Sequence, residues 1–549
     1  MRHLFSAASA LGAAALLACA LPAAAGNPIA SVTPLWTFNH ATAQPALARD
    51  SEIPYWHAPS RTLWVVGGDG LDVLNLNGSL VQSITLSSFG VVNSLALNGN
   101  VAALSFTSPG VTTPGTVQFF DVAAFLGGAG TGAALGSVTV GAVPDMITWT
   151  PDGTRLLVAN EGERQSNANN PAGSISIIQF NAANPSASTV TTAGFTAFDG
   201  QEAALRAAGV RIQAGVSASV ALEPEYIAIS PDGTRAMVTL QENNALAELD
   251  LLTQQVTRIL PLGVKDHSLA DSGFRLANGT VLSNAIDPSD QDGGISFRNV
   301  PVVGLYMPDA IKSYSVGGQT FYVMANEGDA FVDDADIIRF GNGAVTLDPT
   351  VFNGVDRPSQ AELKPNGVLG RLNIVRDGRD GSGSLTNMTE IVALGGRSFS
   401  IRDADGNLVF DSGNLLDVEA AARGLYVDGR SDDKGVEPEG VEIFEIGGRT
   451  LAFIGLERTS TSAVALFDIT DPTAVSFLDF IVGNPGDARA EGLVAFEVDG
   501  LIYLAVSNEA PSSRTTLFLL TPVPEPGTWA LMALGVVALG IATRRRSRS

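Results

Sequence analysis

The sequence predicts an all-β chain, a seven-bladed β-propeller, and three observations predict it: composition, a repeated hairpin, and the strands that follow each hairpin. Only 16 % of the 549 residues are charged while 59 are glycine, the balance of a chain built from short strands and many turns. The hairpin unit is an acidic residue, an apolar strand, a tight turn, a second apolar strand and another acidic residue. Copies run from Asp145 to Glu161, Glu225 to Glu242, Asp309 to Glu327, Glu439 to Glu457 and Glu491 to Glu509. A looser copy spans Glu52 to Asp69, and a degenerate one begins at Asn93 without the acids.

Each element follows from local signals. Asp152-Gly153, Asp232-Gly233, Gly317-Gly318, Gly447-Gly448 and Asp499-Gly500 sit near the middle of their copies, and such dipeptides between apolar runs are the strongest short-range hairpin signal. Third strands with a recurring end follow at Leu74-Asn75-Leu76, Phe120-Asp121-Val122, Leu249-Asp250-Leu251 and Phe467-Asp468-Ile469. Fourth strands follow at Leu80 to Leu86, Gln255 to Leu262 and Val475 to Val482. Four antiparallel strands, repeated seven times, make a propeller. Uneven spacing implies insertions, chiefly 164–222, 263–304 and 330–436, with a short helix at Gln201 to Ala208. The last copy supplies a third strand, Thr515 to Leu520, and no fourth. Pro34 to Asn39 is the expected replacement, closing the ring with the two chain ends and removing an exposed edge.

Residues 1–25 read as a secretory signal peptide: Arg2 and His3, an apolar run from Leu11 to Leu21, then Ala23-Ala24-Ala25. The only cysteine, Cys19, lies inside it, so the mature chain is expected to have no disulfide and no thiolate metal site. The predicted body is 26–521. From 522 to 549 come Pro524-Glu525-Pro526, an uncharged apolar segment (527–543) and Arg544, Arg545, Arg546 and Arg548. That segment is shorter than the ~20 residues of a comfortable transmembrane helix, and the arginines would hold it by the positive-inside rule. The formal charge is −24; without Arg2 and the four tail arginines about −29 remains. Such a surface repels nucleic acid and anionic lipid and concentrates cations.

A hairpin folded at its midpoint returns its last residue beside its first, so each copy places two carboxylates at one end. In a propeller the first strand of every blade lines the central channel. Asp145, Glu161, Glu225, Glu242, Asp309, Glu327, Asp329, Glu439, Glu457, Glu491 and Glu509 are therefore expected around one mouth of it. Like charges so close are costly unless neutralised. Ca²⁺ or Mg²⁺, which take oxygen ligands, would do so, and Ca²⁺ is the expected cofactor. Lys265, His267, Arg430 and Lys434 are the candidate ligand-binding cations, with Arg397 and Arg458 nearby as counter-charges. A second reading has these strand-end carboxylates bonding backbone N–H groups of the neighbouring blade. Asp287, Asp290 and Asp292, and likewise Asp377 and Asp380, carry the oxygen donors and Gly turns of calcium loops without the EF-hand spacing, and read as solvated turns. The densest string is Glu327-Gly328-Asp329 followed by Asp333, Asp334 and Asp336. No nucleophile elbow, phosphate loop or His-Glu-x-x-His occurs, so no catalytic residue is assigned. His40, His57 and His267 are too few for a histidine-rich metal centre.

Two stretches carry family resemblances. Glu223 to Leu251, Leu305 to Tyr314, Ala325 to Asp329, Gly396 to Gly413, Arg430 to Val441 and Phe453 to Arg458 resemble the choice-of-anchor I domain, also described as the mesenchyme-specific cell-surface glycoprotein type, over about residues 50–520. The resemblance implies an extracellular propeller-like body borne on varied surface-anchoring tails, and no defined reaction. Ala490-Glu491-Gly492 departs from an expected Pro-Glu-Gly, and Phe331 stands where a polar residue is commoner. The tail resembles the PEP-CTERM sorting signal, which implies retention in the inner membrane until an exosortase cuts near Pro524-Glu525-Pro526. The expected protein is an exported, non-enzymatic binding or scaffold propeller of the cell surface or extracellular polysaccharide. The alternative is a metal-dependent phosphoesterase of the phytase-like propeller kind.

Overall fold

Apolar residues fall on both faces of almost every strand, so each sheet must be covered on both sides. The computed structural model describes residues 26–43, 49–110, 112–166, 169–509 and 511–523, with backbone only at 333 and 334. The expected signal peptide and the sorting tail lie outside these residues. Among the described residues no helix is long and apolar enough to cross a membrane.

Seven four-stranded antiparallel sheets follow one another along the chain. The first is Arg49–His57, Thr62–Gly68, Gly70–Asn75 and Leu80–Thr85, and the second Val91–Asn98, Val101–Thr107, Pro114–Asp121 and Ala134–Ala142. The third is Pro144–Trp149, Arg155–Asn160, Ser174–Gln179 and Thr189–Gly194, and the fourth Ile227–Ile229, Arg235–Leu240, Ala245–Asp250 and Gln255–Pro261. The fifth is Ile311–Val316, Gln319–Asn326, Ser398–Asp403 and Leu408–Asp411, and the sixth Pro438–Ile446, Arg449–Leu456, Ala463–Asp468 and Ser476–Val482. The seventh joins Ala490–Val498, Leu501–Asn508 and Arg514–Pro522 to the N-terminal strand Ile29–Asn39. That strand pairs antiparallel with Arg514–Pro522, placing Trp36 against Leu517 and Phe38 against Thr515. Turn residues behave as their types require: Asp499 and Gly500 have φ of 53° and 80°, Gly447 and Gly448 of 59° and 73°, the left-handed pair of a two-residue hairpin turn.

Packing follows the same cycle. The first strand of every sheet contacts that of the next, and the seventh contacts the first. Between the first and second sheets lie Trp64, Leu71, Leu104 and Phe120; between the fifth and sixth lie Val323, Phe399, Ile454 and Phe467. Between the seventh and first, Trp56 stacks on Phe496 with ring centroids 4.1 Å apart and an interplanar angle of 6°. A buried chain of hydrogen bonds pins the same junction: His40 Nδ1 to Asp72 Oδ2 at 2.7 Å, His40 Nε2 to Thr515 Oγ1 at 2.9 Å, and Thr515 Oγ1 to Ser51 Oγ at 2.8 Å. Its order is that of a nucleophile, base and acid, but His40 and Thr515 are wholly buried, which makes it a structural tie.

The insertions differ from expectation. Residues 164–222 hold the last two strands of the third sheet, and 330–436 hold the last two of the fifth. The expected short helix is present as Glu202–Ala208, ended by Gly209 at φ 106°. Between Leu262 and Arg397 the chain builds its own small sheets, Val264–Asp266 with Val303–Leu305 and Val392–Ala393, and Ile337–Arg339 with Asn373–Val375. They have a separate core of Phe340, Leu369, Ile374 and Ile391.

Candidate acidic site at the channel mouth

In four copies the first acid sits where the strand pairing slips. Register shifts fall between Arg49 and Ile53, Pro144 and Ile147, Pro438 and Val441, and Ala490 and Leu493, bracketing Glu52, Asp145, Glu439 and Glu491. A bulge leaves its extra residue unpaired and re-aims the side chain, here toward the axis. Two residues before the acid, Val143, Met307, Glu437 and Arg489 take φ of 47°, 47°, 50° and 60°. Left-handed backbone at non-glycine residues is strained and concentrates where structure over-determines it. The glycine after the acid is needed where sheets crowd: a Cβ on Gly440 would lie 1.9 Å from the Glu491 carbonyl oxygen, and one on Gly492 2.0 Å from that of Glu52.

These side chains meet in a cavity of about 540 Å³. Its walls carry eleven carboxylates: Glu52, Asp145, Glu161, Glu163, Glu223, Glu225, Glu242, Asp309, Asp329, Glu439 and Glu491. Arg164 is the one basic residue among its described lining residues. Burial, then the neighbouring carboxylates, pushes Glu161, Glu225, Asp309, Glu439 and Glu491 well above the usual carboxylate range. Burial lifts Glu52 and Glu242 to about 8 and Asp145 to about 6. Eight of the eleven expected metal residues thus line one cavity together with Asp329's neighbours on the inserted loop, Ala330 and Phe331.

The other three stand beside it. Glu327 accepts from Lys434 Nζ at 2.8 Å and Gln241 Nε2 at 2.9 Å. Glu457 pairs with Arg458 at 2.9 Å, and burial with the nearby Glu327 and Glu437 raises it to about 8. Glu509 lies at the rim, a third exposed, paired with Arg489 at 3.0 Å. Of the expected cations, Lys434 and Arg430 are here: Arg430 holds Glu437 at 2.5 Å, and Lys434 lies 3.1 Å from it. Burial works against the Lys434 ammonium, but Glu327 and Glu437 outweigh it and keep it charged.

Lys265 and His267 are corrected to the interior. Lys265 Nζ spends its three donors on Gly396 O at 2.9 Å, Gly413 O at 2.6 Å and Asp411 at 3.0 Å, leaving none for a ligand. Burial lowers His267 to about 3, so its neutral Nδ1–H donates to Asn284 O at 2.8 Å. Arg397 is also buried, donating to Ser431 O at 2.8 Å and Asp433 O at 2.7 Å. In the acidic strings elsewhere, Asp290 pairs with Arg371 at 2.8 Å, Asp292 with Arg298 at 2.6 Å, and Asp336 and Asp377 with Arg211 at 2.6 Å and 2.8 Å. Asp287, expected in a solvated turn, is buried instead, and Asp380 accepts from the Ser382 N–H at 2.9 Å.

Sequence reasoning did not place Glu52 or Glu163 in the site, and it also missed Glu223 and Glu437. Both open a Glu-Pro-Glu (223–225 and 437–439), and that repetition was the available signal. Bonds between neighbouring sheets include Ser105 Oγ to Asp145 O at 2.9 Å, Asn93 Nδ2 to Pro144 O at 3.1 Å and Ser313 Oγ to Ile229 O at 2.5 Å. Glu442 accepts from the Ala495 backbone N–H and pairs with Lys312 at 3.1 Å.

A family model described as "Choice-of-anchor I domain" matches residues 52–472. The chain belongs to the choice-of-anchor I domain family. A second model, the PEP-CTERM protein-sorting motif, matches residues 522–546. This motif implies exosortase processing, and with the choice-of-anchor domain it implies an exported, cell-surface protein. The choice-of-anchor match ends at 472, within the sixth sheet, although the seventh repeats the same design. Gigasin-3a of Magallana gigas is 27 % identical over 165 residues, 26 % of this chain and 57 % of that protein, so the chain spans little more than half of that relative. Among solved structures, the Cps50 (Swd1) β-propeller domain of Myceliophteria thermophila is 8 % identical over 89 % of this chain and all of that one, at a TM-score of 0.44. The Pan2 WD40 domain of Neurospora crassa is 8 % identical over 90 % of this chain and 97 % of its own, at 0.43.

Proposed function

We propose that this choice-of-anchor I chain is a closed seven-bladed propeller, sealed by its N-terminal strand, that serves outside the cell as a non-enzymatic binding protein with a divalent cation at its acidic mouth. Support for the closed ring comes from the cyclic packing of first strands and the seventh-to-first junction at Trp56 and Phe496. The observation that carries the cation is the convergence of eleven carboxylates on one cavity, where Glu223 Oε1 and Glu242 Oε2 are buried without a hydrogen-bond partner. Buried polar atoms normally find partners, and an all-oxygen donor set suits Ca²⁺ or Mg²⁺. A hydrated cation at the mouth offers open positions to hydroxyls or carboxylates, the chemistry of an extracellular polysaccharide or an acidic surface protein.

Thermal unfolding of the purified protein in excess CaCl₂ and in EDTA tests this. The expected result is a melting temperature several degrees higher with calcium, since a ligand that binds only the folded state stabilises it by mass action. Identical melting in the two buffers would count against the cation. Calcium-dependent release of phosphate from generic phosphoesters, lost in Glu242→Gln, would replace the binding reading with that of a phosphoesterase.

A further inference from the structure

We infer that the mouth takes a single divalent cation, held by Glu161, Glu223 and Glu242, because the Lys434 ammonium already fills the equivalent position on the other side. This inference rests on the cation reading just proposed and specifies where the ion sits and how many there are.

Three groups of carboxylates each bring one oxygen apiece within 4.8 Å of one another: Glu161, Glu223 and Glu242; Asp309, Glu327 and Glu439; and Glu327, Glu437 and Glu457. That span is the width of a coordination shell with oxygens about 2.4 Å from a calcium ion. The groups are not equivalent. In the third, Lys434 Nζ lies 2.8 Å from Glu327 and 3.1 Å from Glu437, Arg430 lies 2.5 Å from Glu437, and Arg458 lies 2.9 Å from Glu457. Three carboxylates there face three fixed cations. The second group shares Glu327, and so Lys434, with the third.

The first group is different. Glu223 and Glu242 are 1 % and 4 % exposed, and each turns an oxygen without a hydrogen-bond partner toward the cavity. Glu225, Glu439 and Glu491 also have a buried oxygen lacking a protein partner, but as residues they are less buried than Glu223 and Glu242. Arg164 acts on Glu223 and Arg211 on Glu242, each less strongly than burial and neighbouring carboxylates. The largest charge effects on Glu161 come from carboxylates: Glu242, Asp145, Glu163 and Asp329. Asp329 thus brings a further carboxylate beside the three.

The interior cations explain why Lys434 stays in place. Lys265 holds the Gly396 carbonyl at 2.9 Å. The next residue, Arg397, grips Ser431 O and Asp433 O on the loop that presents Lys434. The loop is braced from beneath, so the ammonium acts as a built-in counter-ion.

Calorimetric titration of CaCl₂ into the EDTA-stripped full-length chain tests the inference, with circular dichroism to confirm that each variant is folded. Wild type is expected to bind one ion. Glu242→Gln is expected to weaken binding about tenfold or more, as removing a charged ligand does, and Glu457→Gln far less. Lys434→Gln is expected to add a second, weaker site. No calcium binding by wild type would overturn the cation reading and this inference with it. Wild-type binding of two ions, tight binding that survives Glu242→Gln, or a folded Lys434→Gln that still binds one would overturn the placement alone. Should Lys434→Gln fail to fold, the comparison of Glu242→Gln with Glu457→Gln decides.

Discussion

Glu52 shows how a single residue reports on the site. Burial and the neighbouring Asp50 raise its carboxyl from 4.5 to about 8, and Glu242 is raised as far. The folded state therefore holds these protons more tightly than the unfolded chain. Protonation stabilises the fold fully below pH 4.5, and that contribution is lost as pH rises through about 8. Melting temperatures measured in EDTA should fall steadily across this window and fall less with calcium, which replaces the protons as counter-charge. A flat profile in EDTA would mean that the acids are already neutralised by other groups. Sequence made these acids legible because a hairpin folded at its midpoint must return its ends to one place. It did not distinguish Glu509 at the rim from Glu242 in the wall, since both end a second strand and only burial separates them. Lys265 and His267 are misplaced by sequence because a charged tripeptide reads as a surface loop, whereas Val264–Asp266 is a short strand whose Lys265 is buried against Gly396, Gly413 and Asp411.

Among the elements, the hairpins were readable because Asp-Gly and Gly-Gly fix the turn locally. Third strands were readable only where they followed at once. Ser174–Gln179 and Ser398–Asp403 escaped because insertions separate them from their hairpins, and strand pairing across a long excursion leaves no local pattern. The N-terminal strand was legible from its place ahead of the first copy, beside a last copy short of a fourth strand, and Ile29–Asn39 does pair with Arg514–Pro522. Its junction has a direct energetic test. Trp56 packs against Phe496 from the seventh sheet and is 9 % exposed, so Trp56→Ala should cost about 3–5 kcal/mol in urea unfolding. A cost near zero would mean that the first and last sheets do not pack together.

The whole molecule combines a strongly acidic body with an apolar interior between its sheets, and its acidic strand starts, four of them at bulges, gather at one cavity. Cyclic packing of repeated sheets puts equivalent residues around a common axis, which is how a simple acid-strand-turn-strand-acid design becomes a cavity of like charges. Such a cavity is tolerable only with bound protons or counter-charge, and Lys434, Arg430 and Arg458 supply counter-charge on one side. On the side of Glu161, Glu223 and Glu242 an ion is the expected supplement. The most direct measurement is an anomalous difference map from crystals grown in calcium. The account predicts one peak bounded by Glu161, Glu223 and Glu242; a cavity without any peak at saturating calcium would contradict it.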